Sequence, residues 1–430
     1  MKIRKLRLQN FRGFEDKTFD FSDQFNVLIG DNGTGKTSVL SALATAFSPF
    51  IGQFISTSTE IPQDDVRRLR QRSGQTITLE PQYPVVIACE VFFIDKNYKW
   101  DLTRHSADSM FEGHITERHN VYMWSQGNPL NLGGDKTFAP LIAYYGTGRL
   151  WGTSREEAIE WDKPGSRFEG YEGCLDPAPN ATSLLGWLKR QEAIALQDKA
   201  ASGVFKAVTQ AIAQCMEGWG GVFYDFKEDD LIAISVDDSR ALPFRMLSDG
   251  ERNMLAMVAD IARRAAILNP HLEERALAET PGIVLIDELD LHLHPRWQRR
   301  VVDNLRETFP NLQFIATTHS PFIIQSLRIG ELIDLNEGEP ADYVDKPIDY
   351  VAEFVQGVSG SSPRYEKMME AAVEYYRVLE QAEGASPEEV ERLKRRLDEL
   401  VAPFSDDVAY HAFLKMEREA AGLNLKKNNT

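Results

Sequence analysis

The sequence predicts an α/β protein: a mixed, largely parallel sheet flanked by helices, with a helical insertion and a helical C-terminal tail. Three observations carry that expectation. FNVLI runs into GDNGTGKT (Gly30 to Thr37) and then into the helical SVLSALATAF, a strand–loop–helix order. GIVLIDELD is a continuous apolar run closed by acids, the pattern of a strand buried on both faces. Around these segments strand and helix patterns alternate, which favours parallel pairing.

Taken in order, KIRKLRLQNF, FEDKTFDF and FNVLI read as strands, with a hairpin expected between the second and third around Ser22-Asp23. Residues 48 to 80 are rich in Ser, Thr, Gln and Arg, show little periodicity and are expected to be mobile. YPVVIACEVFFI is a strand pattern, more strands are expected up to Trp124, and LIAYYGTGR ends a strand in a glycine-rich turn. Trp151 to Asn180 reads as an irregular excursion, and Ser183 to Trp219 as helix, with apolar residues spaced by three and four. A β pair is expected near Gly221 to Leu242. The polar turn in MLSDGERNML (Met246 to Leu255) comes next, then a helix over Glu251 to Leu268.

Beyond GIVLIDELD, WQRRVVDNLRETF is an amphipathic helix and NLQFIATTHS another strand. From Arg364 the chain is highly charged and helical. Ser386, Pro387 and Glu389 form a capping box, and Val390, Leu393, Leu397 and Leu400 make an apolar stripe suited to the chain's own core or to a partner.

With 430 residues, 43% hydrophobic and 26% charged, the composition is that of a soluble globular protein of two or three units. A net charge of −17 argues against uniform attraction to nucleic acid but leaves room for local basic patches. Two stand out: Lys2, Arg4, Lys5, Arg7 and Arg12 at the start, and VRRLRQR (Val66 to Arg72). No apolar run approaches the roughly 20 residues that span a bilayer, so no membrane partner is expected. Cys89, Cys174 and Cys215 stand far apart, make neither a disulfide framework nor a zinc pattern, and fit a reducing cytoplasm.

GDNGTGKT satisfies GxxxxGK[ST] in the context that pattern requires. Gly30, Gly33 and Gly35 let the backbone curl, so that N–H groups around Asn32 and Thr34 point at phosphate oxygens. Ser38 lies in the helix start, whose dipole favours an anion. Lys36 can neutralise β and γ phosphates, and the Thr37 hydroxyl can ligate Mg²⁺; the expected ligands are therefore ATP and Mg²⁺. Asp287 ends the apolar strand and can hold the metal, while Glu288 is placed to polarise water as general base. In ATTHSP, His319 ends the next strand and could contact the γ-phosphate or that water. His292 and His294 are expected in core and loop roles rather than as metal ligands.

Together these residues resemble the ABC-type P-loop ATPase heads of the SMC and RecF class: an LQNFRGF strand (Leu8 to Phe14), phosphate loop, long insertion, signature turn, Asp-Glu strand and switch histidine. The resemblance implies that Arg12 helps to position nucleotide. It also implies that LSDGER presents Ser248 and Gly250 to ATP held by another subunit. The common signature is LSGGQ, so Asp249 and Glu251 are departures, which points to slow turnover or to ATP acting mainly as dimer glue.

YYGTGR, RFEGYEGCL and the charged tail narrow the resemblance to the PtuA-type ATPases of Septu anti-phage systems, also found with some retrons. That resemblance implies head-to-head self-association, a separate HNH nuclease partner of PtuB type, and contact with nucleic acid (DNA, RNA or retron msDNA). The alternative is a RecF-like repair ATPase that cycles ATP on DNA. The expected organisation is an ATPase head from 1–50 and 220–345 with strands from 80–150, an insertion at 151–219, and a helical partner-docking region at 346–430.

Overall fold

Alternation of charged and apolar residues in the first strand has a direct outcome. β1 (Lys2–Phe11) buries Ile3, Leu6, Leu8 and Phe11 and pairs antiparallel with its successor β2 (Phe14–Asp20). The computed structural model describes residues 1–56, 60–73, 76–93, 95–108, 138–149, 166–178, 181–198, 203–236, 240–336 and 343–357, and scattered positions between 367 and 402. The chain divides into two compact units, Met1–Val351 and Ala352–Thr430. Every sheet among the described residues belongs to the first unit.

The hairpin expected at Ser22-Asp23 is replaced by one at Arg12-Gly13, where Phe11 pairs with Phe14. The reason lies in burial. β3 (Phe25–Ile29) is buried at every residue and needs neighbours on both edges and cover on both faces, whereas β2 is largely exposed and suits a sheet edge. β3 therefore leaves the antiparallel sheet for a parallel one. Residues 48 to 80 are more ordered than expected. Helix α1 (Lys36–Ile51) reaches into them, and β4 (Arg68–Ser73) and β5 (Thr76–Pro81) pair as an antiparallel ribbon.

β6 (Val85–Phe93) and β7 (Lys96–Arg104) complete a four-stranded antiparallel sheet of order β2-β1-β6-β7. β8 (Leu141–Tyr145) opens the parallel sheet. Two helices, α2 (Ala181–Asp198) and α3 (Gly203–Cys215), stand where one helical stretch was expected, and Trp219 begins β9 (Trp219–Asp225). The expected β pair is a three-stranded sheet, β9 with β10 (Asp230–Ser235) and β11 (Ala241–Pro243). Helix α4 (Asp249–Leu268) starts two residues before the expected Glu251, because Ser248 caps it.

β12 (Gly282–Ile286), helix α5 (Val301–Thr308), β13 (Leu312–Thr317) and β14 (Leu332–Asp334) come after it. The parallel sheet has order β14-β3-β13-β12-β8, and all its pairings are parallel. Its five strands therefore end along one edge. The strands expected between Asp108 and Trp124 fall outside the described residues, as do most of the excursion from Trp151 and the cap and stripe from Ser386 to Leu400. Among the described residues no helix is long and apolar enough to cross a membrane.

Candidate nucleotide site at the carboxyl ends of the parallel strands

In open parallel sheets, ligands bind outside the carboxyl ends of the strands, where loops from different strands converge. The register of this sheet sets Ile286 beside Ala316 and Tyr145, and Thr317 beside Leu28. Consequently the loop from Gly30, the acids Asp287 and Glu288, and the Thr317–His319 turn emerge together. The turn after Tyr145 and Asn336 after β14 join them.

The loop itself is shaped by glycine. Gly30, Gly33 and Gly35 have φ of +140°, +91° and +102°, values that other residues seldom adopt. A side chain at Gly35 would lie 2.6 Å from the Phe14 ring, and one at Gly30 would lie 2.7 Å from Thr34 Oγ1. The loop is thus closed upon itself and upon the β1–β2 turn. Lys36 Nζ donates to the carbonyls of Gly30 at 2.7 Å and Asp31 at 3.0 Å, which lays the ammonium across the loop. Burial lowers the Lys36 pKa, against the opposing pull of Asp287, Asp31 and Glu288. Asp31 N donates to Asn336 Oδ1, so β14 braces the loop from the far side. Asn32 and Gly33 stand exposed at the loop tip, Ser38 is half-buried, and the Thr37 side chain reaches the acid strand.

Asp287 is buried and accepts from Thr37 Oγ1 at 2.8 Å and Thr317 Oγ1 at 2.6 Å. Glu288, half-buried, comes next with φ of +50°, a left-handed conformation that costs a residue with a side chain of order 1 kcal/mol or more. Its N–H donates to Thr317 Oγ1 at 2.7 Å. This bend separates the directions of two sequential carboxylates: Asp287 turns back to the phosphate loop and Glu288 is released from the strand.

Arg149 holds that bend from beneath, and sequence reasoning missed it. The side chain is 2% exposed, and its guanidinium donates to the carbonyls of Gly146, Asp287 and Glu288, the last at 2.6 Å. Burial pushes its pKa down to about 10, against the attraction of Asp287, Glu288 and Asp290. The available signal was the GTGR turn closing an apolar strand, the same grammar as the acid strand. Asp290 is a second omission: its carboxylate accepts from Thr318 Oγ1 and from His319 N, fixing the turn that presents the exposed His319.

The two histidines weighed as a metal pair have local duties. His294 Nδ1 accepts from Arg296 N and caps a short helix. His292 has φ of +61°, and its carbonyl faces Gly250, where a side chain would lie 2.3 Å away. Gly250 is therefore required where α4 meets the segment after the acid strand.

Ser248 is exposed at the start of α4 and forms a reciprocal capping box with Glu251. Its hydroxyl donates to Glu251 Oε2 at 2.7 Å, its N–H to the same oxygen at 3.0 Å, and Glu251 N donates back to Ser248 Oγ. Asp249 is ion-paired to Arg252 one turn on. Both departures from the usual signature thus have partners within their own helix. Arg12, with φ of +47°, pairs through Nε with the buried carboxylate of Asp65 at 2.7 Å and lies at the turn that seats Phe14 on the loop.

The donor set fits the groups the sequence anticipated. A cradle of positive-φ glycines with a lysine across it suits an oligophosphate. A hydroxyl and a carboxylate 2.8 Å apart suit a small hard cation such as Mg²⁺.

A family described as "AAA domain, putative AbiEii toxin, Type IV TA system" matches residues 152–325, and one described as "AAA domain" matches residues 5–218. The retron Vc95 probable ATPase of Vibrio cholerae is 27% identical over 398 residues, covering 78% of this chain and 74% of that protein. Septu protein PtuA of Bacillus thuringiensis is 22% identical over 367 residues, covering 83% of this chain and 81% of its own length. Among solved structures, an SMC head bound to the C-winged helix domain of ScpA has a TM-score of 0.45 at 16% identity, covering 78% of this chain and 94% of that one. The chain is a P-loop ATPase, similar over most of its length to retron probable ATPases and to Septu protein PtuA.

Proposed function

We propose that this ATPase is the nucleotide switch of an anti-phage system, pairing head to head around two ATP molecules and thereby controlling a separate HNH nuclease. In this reading Lys36 and the loop amides bind the phosphates, Thr37 and Asp287 hold Mg²⁺, and Arg12 borders the nucleotide. Glu288 takes the proton from attacking water, and His319 faces the γ-phosphate. Ser248 and Gly250 close the site from the partner copy. The helical region after residue 346 receives the nuclease.

The observation that carries the reading is the state of the signature turn. An aspartate and a glutamate beside a partner's γ-phosphate would repel it; here Arg252 neutralises the first and the cap engages the second. Ser248 remains exposed at a helix N-terminus, where the dipole favours an anion. Its O–H is committed to Glu251, so closure on phosphate must exchange that bond. A switch that closes slowly and holds is a better fit to this than a fast motor.

Ser248→Arg tests the pairing. Mass measured by light scattering should stay monomeric with Mg·ATP, while nucleotide binding at Lys36 keeps its affinity. ATP-dependent pairing that survives the substitution would rule out the shared site. Co-expression with the adjacent gene tests the partner: a co-purifying nuclease, lost when residues 364–430 are deleted, is expected. Strong DNA-stimulated turnover without any nuclease would favour the repair-clamp alternative.

A further inference from the structure

The β4–β5 ribbon is an unusual object in this chain. A two-stranded ribbon is marginal alone, and every described side chain from Arg68 to Arg72 and from Ile77 to Pro81 is exposed. It therefore contributes little to the core that could explain its sequence. Its base, by contrast, is tied down. Val66 is buried and bridges to Phe11, Arg67 N donates to Asn10 O, and Gln82 N donates to Arg67 O.

Register sorts the side chains. Arg68 pairs with Pro81, Arg70 with Leu79 and Arg72 with Ile77, so one face carries three arginines beside two exposed apolar residues. Ile77 is 50% exposed and Leu79 61%. Leu69, Gln71, Thr78 and Glu80 take the other face. Between Val66 and Pro81 there are four arginines and a single acid, Glu80, in a protein of net charge −17. At its base, Asp64 pairs with Arg68 and Glu15 with Arg67.

We infer that this face is a nucleic-acid contact, an arm that lies against the phosphodiester backbone. Three features select that ligand over an acidic protein. Arginines alternate along one strand, about 6–7 Å apart at the usual strand rise, and so present a line of forked donors rather than a pocket. A two-stranded ribbon has the width that the major groove of a duplex admits. Exposed Ile77 and Leu79 beside the guanidiniums can make apolar contact with base edges in a groove, as with a thymine methyl. In a protein of net charge −17, such contact falls to local basic patches of this kind. An arm of this kind gives the proposed switch its nucleic-acid ligand, yet does not need the switch to be correct.

The arm also has a mechanical link to the nucleotide. Its base leads through Asp65 to Arg12, and the next turn seats Phe14 against Gly35 of the phosphate loop.

The experiment is fluorescence anisotropy of the full chain with labelled single-stranded DNA, duplex DNA and RNA of equal length, over a salt series. Arg70→Gln combined with Arg72→Gln is compared with the parent. The parent should bind at least one of the three. The double variant should bind it at least tenfold more weakly, with the slope of log K against log salt reduced by roughly 1–2, the loss of two phosphate contacts. Melting temperature and basal ATP turnover should not change, since the two residues are exposed and supply none of the candidate site's groups. The three probes identify the form of nucleic acid preferred. Affinity within twofold of the parent and an unchanged slope would overturn the inference. So would a parent that binds none of the three, or a double variant that loses only the capture of the nuclease. A parent that binds nucleic acid yet fails to pair with Mg·ATP would sink the switch reading and leave this one standing.

Discussion

The Thr37 hydroxyl donates to Asp287 Oδ2 over 2.8 Å, closing a span of 250 residues. Here the two halves of the site meet, and the second Asp287 oxygen is held just as firmly by Thr317 at 2.6 Å. A carboxylate pinned on both oxygens is already oriented, so the metal-ligand role proposed for it would need little rearrangement. Asp287→Asn retains the shape but loses the charge that, in the proposed site, would balance Mg²⁺. Mg²⁺-dependent phosphate release should fall by about 100-fold or more, while nucleotide binding measured in chelator changes little. Glu288→Gln should reduce turnover by a similar factor, the usual size of a general-base effect, with Mg·ATP binding retained. Equal losses of binding and turnover in both variants would contradict the division of labour between the two acids.

Arg149 makes a different prediction because it touches backbone, not substrate. Its planar fork reaches the carbonyls of both acidic residues, and lysine cannot span them in the same way. Arg149→Lys should lose at least one of these charge-assisted bonds, at about 1–3 kcal/mol, and loosen the left-handed bend at Glu288, although the Gly146 and Glu288 carbonyls keep backbone donors in Arg149 N and Leu291 N. Steady-state kinetics should show kcat reduced at least tenfold and KM for ATP within about threefold, because the phosphate loop is untouched. A lower melting temperature with unchanged kcat would reduce Arg149 to a structural role.

Gly250 is packed on the His292 carbonyl so closely that an added Cβ would lie 2.3 Å from it. Neither group is a flexible side-chain end, so one backbone must move. Gly250→Ala should destabilise the chain by about 1–3 kcal/mol, the usual cost of overpacking, and impair ATP-dependent pairing as well. Ser248→Arg, on an exposed side chain two residues earlier, should impair pairing without lowering the melting temperature. Calorimetry on the two variants separates a signature that folds badly from one that cannot meet its partner copy.

Legibility in the sequence tracked the range of the interactions. GDNGTGKT and GIVLIDELD could be read because glycine spacing and an unbroken apolar run are local properties. The capping of α4 was equally local: Ser248 and Glu251 stand three apart, although the resemblance to a signature drew attention to charge instead. Arg149, Asp290 and Thr317 were invisible for the opposite reason. Each acts on a residue that only the strand order β13-β12-β8 brings alongside. The misplaced hairpin belongs to the same class. Ser22-Asp23 is a good turn, but the choice between pairing β2 with β1 or with β3 depends on which strand is buried on both faces, and that is decided by the parallel sheet. Residues 48 to 80 failed for a third reason: the alternation in TITLE has only two apolar positions, too few beside the polar RLRQRS to mark a strand.

A last prediction concerns the charge cluster behind the site. Asp260 is buried in α4 and accepts from Arg263, from Arg264 and from Tyr145 Oη at 2.9 Å; Tyr145 in turn supplies the carbonyl that receives Asp287 N. Burial alone would raise the Asp260 pKa, but the two guanidiniums outweigh it and hold the carboxyl well below the usual range. That direction sets the sign of the pH effect. An aspartate in the unfolded chain titrates near ~3.9, so the stabilisation is complete above that value and drains away as pH falls through it toward the lower native one. Asp260→Asn removes the charge at all pH values and leaves two buried guanidiniums short of a partner, a loss of about 3–5 kcal/mol near neutrality. The difference in melting temperature between the parent and this variant should therefore be constant from pH 8 to about 5 and shrink below about pH 4. A difference that widened in acid would mean that the carboxyl is protonated in the native protein, and that the network is held by hydrogen bonds instead of charge.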